Sequence, residues 1–225
     1  MAPKIVALDF DGTVVDSMGS LADEAVETLM AAGYPDADGV LSAYLKTSGL
    51  SFRQQVDLLI PGVSASFKDE VASSFHERTA HIYDSVGLVP GVLDFIEGLR
   101  SKRSSVVAVV IVSSSSSRVV QRACKRLLPY DGHHDVVVLG RSLSFDTKAS
   151  QLVDIVRAAF GDPQRVAFIG DSPRDAHIAD EAGIKNFVAL TRLLSLDAYG
   201  DAPHKFDTFD EIAASAWYSG FVLTP

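Results

Sequence analysis

The sequence has one cysteine, Cys124, one tryptophan, Trp217, and a shortage of positive charge: 20 Lys and Arg face 29 Asp and Glu over 225 residues, a formal net charge of −9. Each shortage excludes something. A single cysteine rules out an intrachain disulfide and fits a reducing cytoplasm. The acidic balance argues against nucleic acid as a partner, since phosphate backbones are held by Lys and Arg. It says less about a small phosphorylated substrate, because a metal and a few local cations overcome a global field. No apolar run approaches the roughly 20 residues needed to cross a bilayer, and Ile5 opens the first apolar run too early to leave room for a signal peptide. The expectation is a cytoplasmic protein with neither membrane nor nucleic acid as partner, acting as a monomer or homodimer. There is no fixed-period repeat. With 47% hydrophobic residues, the chain has enough for a sizeable core, as one large domain or a core with a smaller insert.

What is present is organised around residues 4–13, Lys-Ile-Val-Ala-Leu-Asp-Phe-Asp-Gly-Thr. Ile5 to Leu8 is a continuous apolar run, the pattern of a strand buried on both faces in a parallel sheet. It ends in Asp9 and Asp11. Ligands of open parallel sheets bind beyond the carboxyl ends of the strands, and residues two apart on a strand point the same way. Two carboxylates aimed at one site repel, and a divalent cation is the usual remedy. A solvated Asp-Gly turn after a strand would carry the same residues.

Further along, Leu21, Ala25, Leu29 and Ala32 share a helical face that Gly33 and Pro35 end. A second helical stretch holds Phe52, Val56 and Leu59, and a third holds Phe67, Val71 and Phe75. From residue 16 to about 88 nothing reads as a strand, and this stretch carries eleven Asp and Glu against Lys46, Arg53, Lys68 and Arg78, a net −7. After Pro90-Gly91 the period changes. Val92, Phe95, Ile96 and Leu99 mark a short helix, and Val106 to Val112 is a second strand, β-branched almost throughout. The serine run 113–117 follows, with Ser115 or Ser116 as cap of a helix over Arg118 to Leu128. Val136 to Leu139 is a third strand and Lys148 opens the next helix. Arg165 to Ile169 is a fourth strand, running into Gly170-Asp171-Ser172-Pro173, a helix-start signal. Phe187 to Leu190 is a fifth, and Phe206 to Ala214 holds a strand fragment and a closing helix. Alternating strands and helices predict an α/β fold: a Rossmann-like parallel sheet with helices on both faces, plus an inserted helical unit.

Right-handed crossovers keep parallel strands pointing one way, so Asp9, Ser113 and Asp171, each following a strand, share one rim of the sheet. Lys148 is within reach of it. An acid pair, a hydroxyl, an amine and another acid then converge on one crevice.

Asp-Phe-Asp-Gly-Thr-Val-Val-Asp-Ser, the hydroxyl after the second strand, the later lysine and Gly-Asp-Ser-Pro-Arg-Asp together resemble the four motifs of the haloacid dehalogenase (HAD) superfamily. The likeness runs along most of the chain, including Pro90-Gly91 and Ala179-Asp-Glu-Ala-Gly183. The helical insert after the first motif looks like the family's C1-type cap, which implies a core of residues 1–15 and 89–225 and a cap of residues 16–88. Within the superfamily the chain resembles the phosphoglycolate phosphatase and β-phosphoglucomutase group. The resemblance implies Asp9 as the nucleophile that forms an aspartyl-phosphate. Asp11 becomes the general acid and base. Mg²⁺ is held by Asp9, Asp171 and the Asp11 backbone carbonyl, and Ser113 and Lys148 donate to the phosphoryl oxygens. Backbone N–H groups near Phe10, Gly12 and Ser114 would join them. Asp175, one helical turn after Asp171, would support the metal through a bound water or orient Lys148, metal support being the role expected; an acid in a helix's first turn is also favourable without either role. The carboxylate at Asp11 favours phosphate-ester chemistry, since the dehalogenases and phosphonoacetaldehyde hydrolases of the superfamily lack one there.

The expected function is hydrolysis of a small phosphorylated metabolite: phosphoglycolate-like, sugar phosphate, nucleotide monophosphate or pyrophosphate. A phosphomutase, or a phosphoryl-binding regulatory protein without turnover, are the alternatives. Two positions depart from the family pattern: Lys148 is followed by Ala149-Ser150 rather than proline, and Ser114 stands where relatives often have asparagine. Arg141 is a rival to Lys148. The segment from Lys46 through Gly49 to Arg53 resembles the specificity loop of such caps, making Lys46 and Arg53 candidate clamps for a second anionic group, although a solvated surface loop is equally compatible. The histidines have no metal spacing: His133 and His134 read as loop residues and His177 as surface. Cys124 reads as core, and Trp217 and Tyr218 as anchors of the tail or a dimer contact.

Overall fold

The computed structural model describes residues 4–34, 36–101, 106–129 and 136–223. His133, His134 and Pro35 lie outside them. Six parallel strands form one sheet: β1 (Lys4–Asp9), β2 (Val106–Ser116), β3 (Val136–Arg141), β4 (Val166–Gly170), β5 (Asn186–Leu190) and β6 (His204–Phe206). Their order is β3-β2-β1-β4-β5-β6. β1 is central because it is apolar on both faces. Val6 and Leu8 enter one apolar cluster, with Val109 and Ile111 of β2. Ile5 and Ala7 enter another on the opposite face, with Val110 and Val112. The two-residue alternation of a strand thus becomes two cores, one on each side of the sheet.

The first cluster is covered by α6 (Val92–Ser101), α7 (Ser117–Leu127), α10 (Phe209–Ala214) and α11 (Ala216–Phe221). Cys124, Trp217 and Tyr218 are buried in it, so the two aromatic residues anchor the tail. The second is covered by α8 (Lys148–Ala158) and α9 (Pro173–Glu181). Leaving β1, the chain goes to β2 on one side; after β3 it returns to β4 on the other. That reversal of strand order, between β1 and β4, opens a crevice at the carboxyl ends.

Among the described residues, five helices lie between β1 and α6: α1 (Met18–Ala31), α2 (Ala37–Lys46), α3 (Phe52–Leu59), α4 (Ala65–Thr79) and α5 (Ile82–Ser85). They close on an apolar cluster of their own that includes Leu21, Leu29, Val40, Tyr44, Val56 and Val71, with the rings of Phe52 and Phe75 stacked 3.8 Å apart. The insert leaves and rejoins the core through paired backbone: Asp16 N–H donates to the Gly87 carbonyl (3.0 Å) and Val89 N–H to that of Val14 (3.0 Å). α2 and α11 fall where hydropathy alone gives no helix. α2 is started by Asp36, whose side chain accepts the Gly39 N–H at 3.0 Å. Among the described residues, no helix is long and apolar enough to cross a membrane.

Candidate active site

Asp9 is the last residue of β1, and its carboxylate meets the Lys148 ammonium at 2.7 Å. Lys148 opens α8, whose start is set by reciprocal capping between Thr147 and Ser150. Ser150 therefore supplies the helix-start chemistry at a position where the family pattern departs. The same ammonium meets Asp175 at 2.8 Å, and all three side chains are buried. Asp175 is held in turn by Ser172, whose N–H (3.2 Å) and hydroxyl (2.7 Å) both donate to its Oδ2. Both Asp175 oxygens are thereby engaged, Oδ1 by Lys148 and Oδ2 by Ser172.

Asp171 follows β4. Thr13 Oγ1 donates to its Oδ1 at 3.3 Å, and Tyr199 fixes its backbone by donating to the carbonyl at 2.6 Å. Gly12 turns the chain beside it with φ of 78°, and a Cβ there would lie 2.1 Å from Asp171 Oδ2. Only glycine fits that turn and that approach. The Gly12 N–H donates to the Val15 carbonyl at 2.8 Å, so it closes the turn instead of standing free as a phosphate donor. Phe10 is fully buried in the first core cluster.

Three carboxylates, those of Asp9, Asp171 and Asp175, thus gather beside one buried ammonium. Burial pushes the Asp9 carboxyl up to about 7, with the Asp175 charge adding and Lys148 partly offsetting. Burial and the Asp9 charge hold Asp171 well above the ordinary range. For Lys148 burial opposes the charge, but Asp175 and Asp9 outweigh it and keep the amine above its usual value. Asp9, Asp171 and Asp175 bring carboxylate oxygens within 4.8 Å of one another. An all-oxygen, net negative donor set of this kind fits a hard divalent cation.

Asp11, half-buried, accepts hydrogen bonds from three hydroxyls: Ser17 (2.6 Å), the last residue of the first motif, and Tyr83 (2.9 Å), which motif reading did not single out, on Oδ1, and Ser115 (3.4 Å) on Oδ2. Burial raises its carboxyl, and the Ser17 and Tyr83 bonds pull the other way. Ser113 is clamped by Gln151, which accepts its N–H (3.1 Å) and donates to its carbonyl (2.9 Å). Its hydroxyl accepts the Ser115 N–H at 3.0 Å and retains its own proton to donate. Ser114 Oγ donates to the Gly49 carbonyl at 3.2 Å, joining the insert to the sheet rim.

A cavity of about 280 Å³ lies between rim and insert, lined by Asp9, Asp11, Ser113 to Ser116 and Lys148 on one side. Met18, Leu21, Tyr44, Leu50, Phe52 and Phe75 contribute to the other. Gly49 and the exposed Arg141 also line it; Lys46 and Arg53 do not. Lys46 is the exposed last residue of α2. Arg53 lies in α3 and pairs with Asp57 (2.8 Å) and Asp69 (2.5 Å) across the insert surface. Those acids, close in space but not adjacent in sequence to Arg53, claim the cation before a substrate can. His177 is exposed on α9.

Comparison with known proteins bears on this arrangement. A family model described as haloacid dehalogenase-like hydrolase matches residues 3–183. No curated protein matches the chain. Among solved structures, a haloacid dehalogenase-like family hydrolase from Streptococcus pneumoniae is 21% identical with a TM-score of 0.74, covering 95% of this chain and 98% of that one. A predicted phosphoglycolate phosphatase from Haemophilus somnus is 19% identical with a TM-score of 0.68, covering 95% and 98%. A mutant CbbY from Rhodobacter sphaeroides, in complex with xylulose-(1,5)-bisphosphate, is 19% identical with a TM-score of 0.65, covering 93% and 96%. At these identities the structural likeness is one of fold. The family model, in contrast, runs from β1 through α9 and so takes in Asp9, Asp11, Ser113, Lys148 and Asp171; the chain belongs to the haloacid dehalogenase-like hydrolases.

Proposed function

We propose that the protein is a Mg²⁺-dependent phosphatase for a compact phosphorylated metabolite, with residues 1–15 and 89–225 as its catalytic core and 16–88 as its cap. The observation that carries this reading is the Asp9 carboxylate, held 2.7 Å from Lys148 at a strand end, with a second carboxylate, Asp11, lining the same cavity. Asp9 attacks phosphorus, forming the bond that makes an aspartyl-phosphate while the bond to the leaving oxygen breaks. Asp11 gives its proton to that oxygen, then takes one from the water that attacks phosphorus and frees Asp9. Lys148 and the Ser113 hydroxyl donate to the phosphoryl oxygens as charge builds on them. Asp9, Asp171 and the Asp11 backbone carbonyl would hold Mg²⁺, which supplies Lewis-acid stabilisation of the transferring group.

Size and wall chemistry narrow the substrate. About 280 Å³ sits at the lower edge of the ~300–1,000 Å³ usual for ligand pockets, which favours a small leaving group over a nucleoside. Among the described residues the insert contributes no lysine or arginine to the lining, and its apolar side chains are interspersed with Ser48, Ser51, Gln55, His76 and Thr79. A second anionic group, as in phosphoglycolate, would meet Arg141 of the core and His76 of the insert.

The test is phosphate release from a panel of small phosphomonoesters, with Mg²⁺ or EDTA, by wild type and Asp9→Asn. Metal-dependent release abolished in Asp9→Asn is the expected result. An active Asp9→Asn protein sinks the mechanism, and preference for nucleotides sinks the size argument.

A further inference from the structure

We propose that Tyr83, at the end of the helical insert, is a positioning residue for Asp11 and hence for protonation of the leaving group; the inference rests on the phosphatase reading above. Tyr83 and Asp11 are 72 residues apart, yet the tyrosine hydroxyl donates to Asp11 Oδ1 at 2.9 Å. The ring is 6% exposed and lies 5.7 Å from the Phe10 ring. Its backbone is also pinned. Arg126 of α7 donates to the carbonyls of Tyr83 (3.2 Å) and Val86 (2.5 Å), tying α5 to the core.

The other two donors to Asp11 differ in kind. Ser17 and Ser115 carry freely rotating hydroxyls on short side chains. The Tyr83 hydroxyl is held by a ring packed in the core, so it fixes a point in space rather than following the carboxylate. Its oxygen accepts as well as donates, and Ser115 Oγ lies 3.4 Å away as a second partner. The contact therefore survives when Asp11 carries a proton. A general acid works only when its proton lies in line with the departing oxygen, and misplacement by about 1 Å costs of the order of 10²-fold in rate. Tyr83 belongs to the insert by sequence, but its ring packs with Phe10 in the first core cluster, so the core holds the donor that aims the acid.

Tyr83→Phe removes the hydroxyl and keeps the ring. Two substrates separate aim from structure. An aryl ester such as p-nitrophenyl phosphate expels a stable anion that needs no proton, whereas an alkyl phosphate needs one. General acid–base groups contribute roughly 10²–10⁴-fold, and loss of aim forfeits part of that. The expected result is a kcat/KM, which covers the steps up to departure of the leaving group and not the later attack of water, lowered by about tenfold on the alkyl ester, with less than about twofold change on the aryl ester. The aryl rate also reports the fraction of folded protein in the same preparation. In an Asp11→Asn background, Tyr83→Phe should cost nothing further on the alkyl ester. Equal losses on both substrates, no loss on the alkyl ester, or a full additional loss in Asp11→Asn overturns the inference alone. A wild-type protein that hydrolyses neither ester overturns the phosphatase reading and this inference with it.

Discussion

Replacing Lys148 by Met tests the electrostatic core of the site most directly. The change keeps side-chain length and removes the one ammonium, 3% exposed, that meets Asp9 at 2.7 Å and Asp175 at 2.8 Å. Breaking a buried ion pair by removing one partner costs about 3–5 kcal/mol, because the remaining charge is left uncompensated. A carboxyl can escape that cost by taking up a proton, and this makes the loss pH-dependent. In the metal-free wild type the Asp9 carboxyl is already raised to about 7. A raised carboxyl contributes stability that is full below its unfolded value, near 4, and is lost as pH rises through its folded value. The slope is at most about 1.4 kcal/mol per pH unit for one proton. Without Lys148 the folded value climbs further, so the variant goes on losing stability at pH values where the wild type has levelled off. From the wild-type value of about 7 to pH 8.5, that slope should make the gap about 2 kcal/mol wider at pH 8.5 than at pH 5.5, on top of the loss of the Asp175 pair at both pH values. At about 2–4 °C per kcal/mol for a chain of this size, the pH-dependent part is roughly 6 °C in Tm. Thermal melts of both proteins in EDTA at the two pH values measure it. An equal loss at both, or none at pH 8.5, would refute the reasoning.

Metal binding should show the same linkage from the other side. Mg²⁺ ligands must be ionised, so Mg²⁺ at a hundred times its Kd should stabilise by about 2.7 kcal/mol at pH 8 and lose most of that at pH 5.5, where Asp9 holds its proton; a Tm gain independent of pH contradicts this. Lys46→Ala and Arg53→Gln should leave KM unchanged, because neither side chain lines the cavity. Their stability changes should stay within about 1 kcal/mol, as for exposed ion pairs; a several-fold rise in KM for either variant would bring that side chain back to the substrate.

The hydropathy pattern and the topology of parallel sheets account for what was legible in the sequence. Ile5 to Leu8 had to be a central strand, because alternate residues there have no polar face to offer. Once the strands are parallel, Asp9 at the end of β1, Ser113 after the apolar run of β2 and Asp171 just past β4 share a rim without any knowledge of side-chain contacts, although β2 itself runs on to Ser116. α2 was readable in principle: Asp36 caps it, and Val40 and Tyr44 are spaced four apart and buried. α11 has only six residues, too few for a period to declare itself.

Contacts between distant segments leave no periodic trace, and only the tertiary structure decided them. Arg53 reads as a substrate clamp in a basic-poor insert, but α4 delivers Asp69 to it across 16 residues. Gln151 reads as one polar residue in a helix, yet folding brings it 38 positions back to clamp Ser113. Tyr83 was inconspicuous until folding brought it 72 residues back to Asp11. The chemical groups and the rim that carries them were written in the strand pattern. Their aim depends on which hydroxyls and amides arrive beside them, and that is set by the packing of helices whose facing residues the sequence does not pair.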